Sequence, residues 1–202
     1  MEISAVILAV AYTLLAIREN RWCWPAGIGS ALLFLGVFYR AGLYMEVGLQ
    51  FFYIAMGVYG WWAWRPAASD PTGSKAHPAL TIQRWPLRWH GAALLGIAVL
   101  SLASGWLLQH YTDAAAPYRD SVVTWGSVLT TWMVTRKVLE NWLYWAVIDS
   151  VTLGLTVERG LEPTTALFAL YLVLSIIGWR TWRATWRATE HRRLGQPSGQ
   201  PP

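Results

Sequence analysis

Gly60-Trp61-Trp62-Ala63-Trp64-Arg65 returns 118 residues later as Gly178-Trp179-Arg180-Thr181-Trp182-Arg183, and Tyr53 returns at the same offset as Tyr171. A second block, Glu19-Asn20 followed by Trp24, matches Glu140-Asn141 followed by Trp145 at an offset of 121, so three residues are lost between the blocks. Trp and Arg collect at bilayer interfaces as anchors, which is the simplest role for Trp64, Trp182 and Trp186. Two offsets, each holding several identities in order, exceed that explanation and read as an internal duplication.

What lies between the blocks says what kind of element was duplicated. The 202 residues are 55% hydrophobic and 13% charged, with fifteen Trp and a mean hydropathy of +0.33. That balance excludes a disordered chain, a collagen and a nucleic-acid-binding tail. Uncharged stretches run over 3–17, 22–39, 47–64, 89–112, 121–135, 141–157 (interrupted by Asp149) and 163–179. A bilayer core takes about 20 helical residues per crossing, so the chain reads as an all-α integral membrane protein with seven transmembrane helices. The matched blocks stand four spans apart, an even number, so both copies cross in the same direction. The expected plan is 3+1+3: a first three-helix bundle over 1–64, a cytoplasmic loop over 65–88, a linker helix over 89–112, a second bundle over 118–183, and a basic cytoplasmic tail over 184–202.

Charge distribution sets the orientation. Arg18, Arg21, Arg65, Lys75, Arg84, Arg88, Arg136, Lys137, Arg180, Arg183, Arg187, Arg192 and Arg193 fall on one side of the seven spans, and Arg40, Arg119 and Arg159 on the other. The positive-inside bias places the N-terminus outside and the C-terminus in the cytoplasm. It also accounts for the net charge of +5 without a nucleic-acid partner. The first stretch lacks a basic n-region and a small-residue cleavage site, so it reads as a retained helix. Residues 66–86 read as a flexible linker and 194–202 as a disordered end. Pro25 suits a helix start. Gly27, Gly29, Ser30 and Ala31 permit close helix approach within the chain or between copies, so a homo-oligomer is compatible.

One cysteine, Cys23, excludes an internal disulfide, and His77, His90, His110 and His191 have no metal-ligand spacing. No HExxH, Cys-His pairing or second clear intramembrane carboxylate suggests catalysis, so neither a metal, a cofactor nor an enzyme activity is expected. Polar groups within spans are functional candidates by default, since a charge at a helix centre costs about 2.5–3.5 kcal/mol on insertion scales. The sixth span is the richest. Trp142, Trp145 and Asp149, at spacings of three and four, share one helical face, with Asn141 beside it. Two indoles and a carboxylate suit a flat cationic ring, by stacking, cation–π attraction and charge neutralisation. The plainer alternative makes the two Trp an interfacial belt and Asp149 a structural partner. Gln50 in the third span carries four hydrogen-bonding capacities and joins the candidates, whereas Thr124, Ser127, Thr130 and Thr131 suit helix packing.

The run Glu140-Asn141-Trp142-Leu143-Tyr144-Trp145-Ala146-Val147-Ile148-Asp149 resembles the WxxWxxx(N/D) motif of the PnuC vitamin transporters, and Gly178-Trp179 resembles the end of their last core helix. The resemblance extends from Arg18 through Trp182. It implies a SWEET-like pair of parallel three-helix bundles, and import of nicotinamide riboside by facilitated diffusion with trapping by a cytoplasmic kinase. It further implies vitamin contact by Trp142, Trp145 and Asp149, with Asn141 and Gln50 as polar contacts. Asp149 stands where many riboside transporters carry Asn. Other branches of the family are associated with thiamine or riboflavin; thiamine, also a cationic aromatic molecule, fits the carboxylate equally well, and neutral riboflavin less so. From a different class, a non-transporting membrane subunit would not need polar groups on the sixth span.

Overall fold

Each uncharged run becomes a helix. The structure, a computed structural model, describes residues 2–40, 44–66, 79–112, 116–158 and 162–195. Its helices are α1 (Glu2–Ile17), α2 (Cys23–Arg40), α3 (Tyr44–Ala63), α4 (Leu87–Tyr111), α5 (Pro117–Thr135), α6 (Asn141–Glu158) and α7 (Glu162–Gly195). Pro25 sits in the first turn of α2 and Pro117 opens α5, both at positions where a missing N–H is harmless. Arg159, the linker residues 67–78 and the chain end 196–202 lie outside the described residues. Up to Gly195 the basic tail simply continues α7 as helix.

Helices α4 and α5 bury mostly polar or small residues and turn apolar ones outward. On α4 the buried residues are Ser101 and Gly105, while Leu94, Leu95, Val99, Leu102 and Trp106 are exposed. On α5 the buried face is Ser121, Gly126, Ser127, Thr130, Thr131 and Thr135, together with Met133 and Val134. Soluble monomers rarely expose contiguous apolar patches beyond a few hundred Å²; small and hydroxylated interfaces with apolar exteriors are how helices pack in lipid. Among the described residues, α4 and the stretch Thr164–Leu194 are long and apolar enough to cross a bilayer by themselves. The remaining helices, 16 to 20 residues long, are shorter or more polar.

Packing closes a ring. α2 lies between α1 and α3, α6 joins α5 to α7, and the two sets meet where α3 touches α5 and α1 touches α7. α4 stands outside, against α5. The Tyr118 ring fills the notch at Gly105, and Trp125 Nε1 donates to Ser104 Oγ at 3.1 Å.

The two sets repeat each other in detail. α1 ends in a Schellman cap, with Glu19 N–H bonded to Ala16 O (3.0 Å) and Asn20 N–H to Leu15 O (2.9 Å). α5 ends identically, with Lys137 N–H to Val134 O and Val138 N–H to Met133 O, both 2.9 Å. Glu19 (φ 53°) and Lys137 (φ 50°) are the positive-φ residues other than glycine in the described chain. Trp24 lies over Gly60 and meets Trp64 edge-on, with centroids 5.3 Å apart; Trp142 lies over Gly178 and meets Trp182 edge-on at 5.4 Å. Every one of these pairs is 118 residues apart. The structure therefore corrects the offset of 121 read from the first block: Trp24 corresponds to Trp142, not Trp145, and no residues are lost. Self-comparison rewards identical letters, whereas the repeated role here is a Trp knob over a Gly notch.

Residues 79–86 correct the reading of 66–86 as a flexible linker. They form a strap across the α5–α6 junction. Gln83 N–H donates to Lys137 O (3.0 Å), and Gln83 O accepts from Leu139 N–H (2.8 Å). Gln83 Nε2 donates to Arg136 O (2.9 Å). Arg84 pairs with Glu140 at 2.8 Å, and Trp85 N–H donates to the other carboxylate oxygen. Ile82 is buried with Trp64, Leu139 and Trp182.

Candidate functional site

α6 begins directly after the α5 cap, so its first residues are held rigidly. Asn141 is fully buried and its Nδ2 donates to Val138 O at 2.7 Å, while Oδ1 is buried with no hydrogen-bond partner among the described residues. Trp142 is also buried. Its ring covers Gly178 and abuts Trp182, and its Nε1–H has no partner among the described residues. The same is true of Trp24 Nε1 at the corresponding place, which marks the Trp142 position as a feature of both halves. Trp145, one turn on, is half-buried against the core.

Asp149 lies two turns beyond Trp142, about 10 Å further along the axis. It is 4% exposed, and Ser175 Oγ of α7 donates to its Oδ2 at 3.2 Å. Trp142 and Asp149 thus both face α7. Tyr171, one turn before Ser175, lies within electrostatic reach of the carboxylate, as does Tyr53 of α3. Tyr53 also interacts with Ser127 of α5 and with Glu46. Gln50 is buried three residues before Tyr53, on the same helical face. Asp149 therefore meets the Ser175 hydroxyl of α7, and neither described ion pair, Arg84–Glu140 or Lys137–Glu19, involves it.

The five residues expected from sequence separate into two levels. Asn141 and Trp142 sit at the capped end of α6, Asp149 lies deeper against Ser175 with Trp145 between, and Gln50 is buried on α3. None is turned outward from the fold. Tyr53, Tyr171 and Ser175 were not among the expected site residues. The matched Tyr53 and Tyr171 carried a signal, since both recur at the offset of the Gly-Trp blocks, but Ser175 carried none. Ser150 and Thr152 instead bond the α6 carbonyls of Ala146 and Ile148. Thr130 bonds Gly126 O, in line with a packing role, whereas Ser127 faces Tyr53.

The capped end holds a separate cavity of about 230 Å³, lined by Glu19, Arg21, Trp64, Arg65, Pro66, Ala79, Leu80 and Lys137. Among the described residues no three His, Cys, Asp or Glu side chains converge as metal ligands.

A family model described as nicotinamide mononucleotide transporter matches residues 1–184. The riboflavin/roseoflavin transporter RibM of Streptomyces davaonensis is 26% identical over 177 residues, covering 87% of this chain and 81% of that protein. The nicotinamide riboside transporter PnuC of Escherichia coli is 22% identical over 188 residues, covering 83% of this chain and 78% of that one. The crystal structure of the vitamin B3 transporter PnuC superposes with a TM-score of 0.72 over 92% of this chain and 81% of its own, at 19% identity, so the likeness there is one of fold.

Proposed function

The chain belongs to the nicotinamide mononucleotide transporter family, and from that premise we propose that it is an inner-membrane carrier importing a small aromatic vitamin, nicotinamide riboside first, by facilitated diffusion. Its plan would be two parallel three-helix repeats, α1–α3 and α5–α7, joined by α4: a SWEET-like 3+1+3 arrangement with the N-terminus outside and the C-terminus in the cytoplasm. Support comes from the constant offset of 118 and from the ring of helix contacts. Rocking of the two halves would expose a central site to each side in turn, and cytoplasmic phosphorylation would trap the product.

The observation that carries the substrate class is Asp149. A carboxylate this deep, accepting a hydrogen bond from the Ser175 hydroxyl and with no described cation beside it, is costly to ionise unless a positive charge arrives with the substrate. A pyridinium ring would set its charge against Asp149 and its face against Trp145, with Trp142, Asn141 and Gln50 as further contacts. Entry of a cation also gains about 2.3 kcal/mol per 100 mV of membrane potential. A second reading, riboflavin, is favoured by the similarity to RibM; its neutral ring would rest on Trp145, Tyr53 and Tyr171. Thiamine shares the cationic class.

Titration of the purified protein with nicotinamide riboside, thiamine and riboflavin, followed by uptake into liposomes, tests the proposal. Binding and gradient-independent uptake of the riboside are expected. Riboflavin binding alone would favour the second reading, and uptake that occurs only with a proton or sodium gradient would overturn facilitated diffusion.

A further inference from the structure

Position C′ of a Schellman cap favours glycine, because the left-handed backbone crowds any Cβ. In this chain the C′ positions of α1 and α5 carry Glu19 and Lys137 instead, at φ 53° and 50°. These two residues correspond by the 118 offset, and they meet: Lys137 Nζ lies 2.8 Å from Glu19 Oε2, both side chains being largely withdrawn from solvent. Lys137 also lies over the Trp64 ring, 4.8 Å from its centroid. Backbone strain at both positions is thus coupled to one contact between the halves. Strain of this kind persists where surrounding structure demands it and collects at working parts of proteins.

The surroundings say what the contact does. Trp64 and Trp182 touch beside it, and each reaches across to the end of the other half's first helix. The cavity of about 230 Å³ opens at the same place, with Glu19 and Lys137 in its wall. Cys23, the single thiol of the chain, is fully buried in the same cluster as Trp64 and Trp182. The Trp64–Trp182 contact, the cavity and Cys23 therefore gather around one ion pair between helix caps.

We propose that Glu19 and Lys137 are the latch of the gate at this end of the carrier: joined, they hold the two halves together over the passage, and they part when it opens. The inference rests on the transporter reading above, which puts this end at the cytoplasm. Glycine at either position would relieve the backbone and delete the latch together, so a folded but unlatched protein is obtainable.

Cys23 is a built-in reporter that needs no substrate. The protein in lipid nanodiscs, with both faces accessible, is treated with a polar maleimide, and each labelling rate is divided by that of the same variant unfolded in detergent. Glu19→Gly, Lys137→Gly and Glu19→Gln should label about tenfold faster than the parent with thermal midpoints preserved, and the exchanged pair Glu19→Lys/Lys137→Glu should return to the slow rate. Parental labelling rates in folded Glu19→Gly and Glu19→Gln would overturn the latch, as would an exchanged pair that labels as fast as the single variants. If Lys137→Gly fails to fold, the two Glu19 variants decide. Uptake by the parent protein is scored separately: its absence counts against the transporter reading, while the labelling rates of the two Glu19 variants, which leave the Lys137 charge beside Cys23 in place, report on the latch.

Discussion

Trp64 and Trp182 occupy corresponding places in the two halves, 6.1 Å apart between ring centroids, and each donates its indole N–H to the helix end of the opposite half. Trp64 Nε1 bonds Thr135 O at 3.1 Å, and Trp182 Nε1 bonds Ala16 O and Ile17 O at 3.2 Å. Ile17 and Thr135 are themselves 118 residues apart. The exchange satisfies Ile17 O and Thr135 O, carbonyls that a helix end leaves without intrahelical partners. Replacing either indole by a ring without a donor removes this term. Trp64→Phe and Trp182→Phe should each lower stability by roughly 1–3 kcal/mol, the cost of leaving a buried acceptor unmet with some lost packing, measured by thermal or denaturant unfolding in detergent.

The Trp knobs make a sharper comparison. A Cβ at Gly178 would fall 2.5 Å from Trp142 Cδ2, and one at Gly60 would overlap the Trp24 ring. Gly48 has nothing within 4 Å of the same position. Gly60→Ala and Gly178→Ala should therefore destabilise by about 1–3 kcal/mol through overpacking. Gly48→Ala should be neutral or stabilising by up to about 1 kcal/mol, since alanine is the better helix former. Thermal midpoints of the three variants check the ordering, and equal effects would refute the knob-in-notch account.

At the proposed site, Asp149→Asn keeps a carbonyl oxygen for Ser175 Oγ and removes the charge. If the substrate is a cation, affinity for it should fall about tenfold or more, in keeping with the roughly 1.5–3 kcal/mol carried by hydrogen bonds to charged groups. Affinity for a neutral flavin should change little. Isothermal titration of parent and variant with both ligands reads the difference directly, and an equal loss for both would assign Asp149 a structural role.

The strap offers a test of cost against partnership. Glu140 is buried, and Arg84 and the Trp85 N–H are what meet its carboxylate. Arg84→Ala strands that charge, whereas Arg84→Ala with Glu140→Gln removes it. The double variant should therefore unfold at a higher temperature than Arg84→Ala alone, because an uncompensated buried charge costs more than an absent pair.

How much could be read in advance follows from which features are local. The seven apolar runs foretold α1 to α7 because solvation by lipid acts on each run separately, and the Gly-Trp blocks survived as identities because a notch needs glycine and a knob needs tryptophan. The true offset of the first block was hidden where the halves differ by design: Glu19 corresponds to Lys137, and opposite charges score as a mismatch. Glu140 then matched Glu19 by letter, although it serves the strap. Leu80 to Trp85 looked like linker because their partners, Lys137, Leu139 and Glu140, lie more than fifty residues away. The cluster of Asp149 with Tyr53, Tyr171 and Ser175 is likewise assembled from three helices, and only the Asp was conspicuous by itself.

The unlike charges at the two caps also govern which halves can marry. Two copies of the first half, docked in the same way, would bring carboxylate against carboxylate at the centre of the joint; two copies of the second would oppose ammonium groups. A self-paired half is repelled and a mixed pair is attracted, so the duplicated segments have become lock and counterpart, and tethering them in one polypeptide supplies each with the mate it requires.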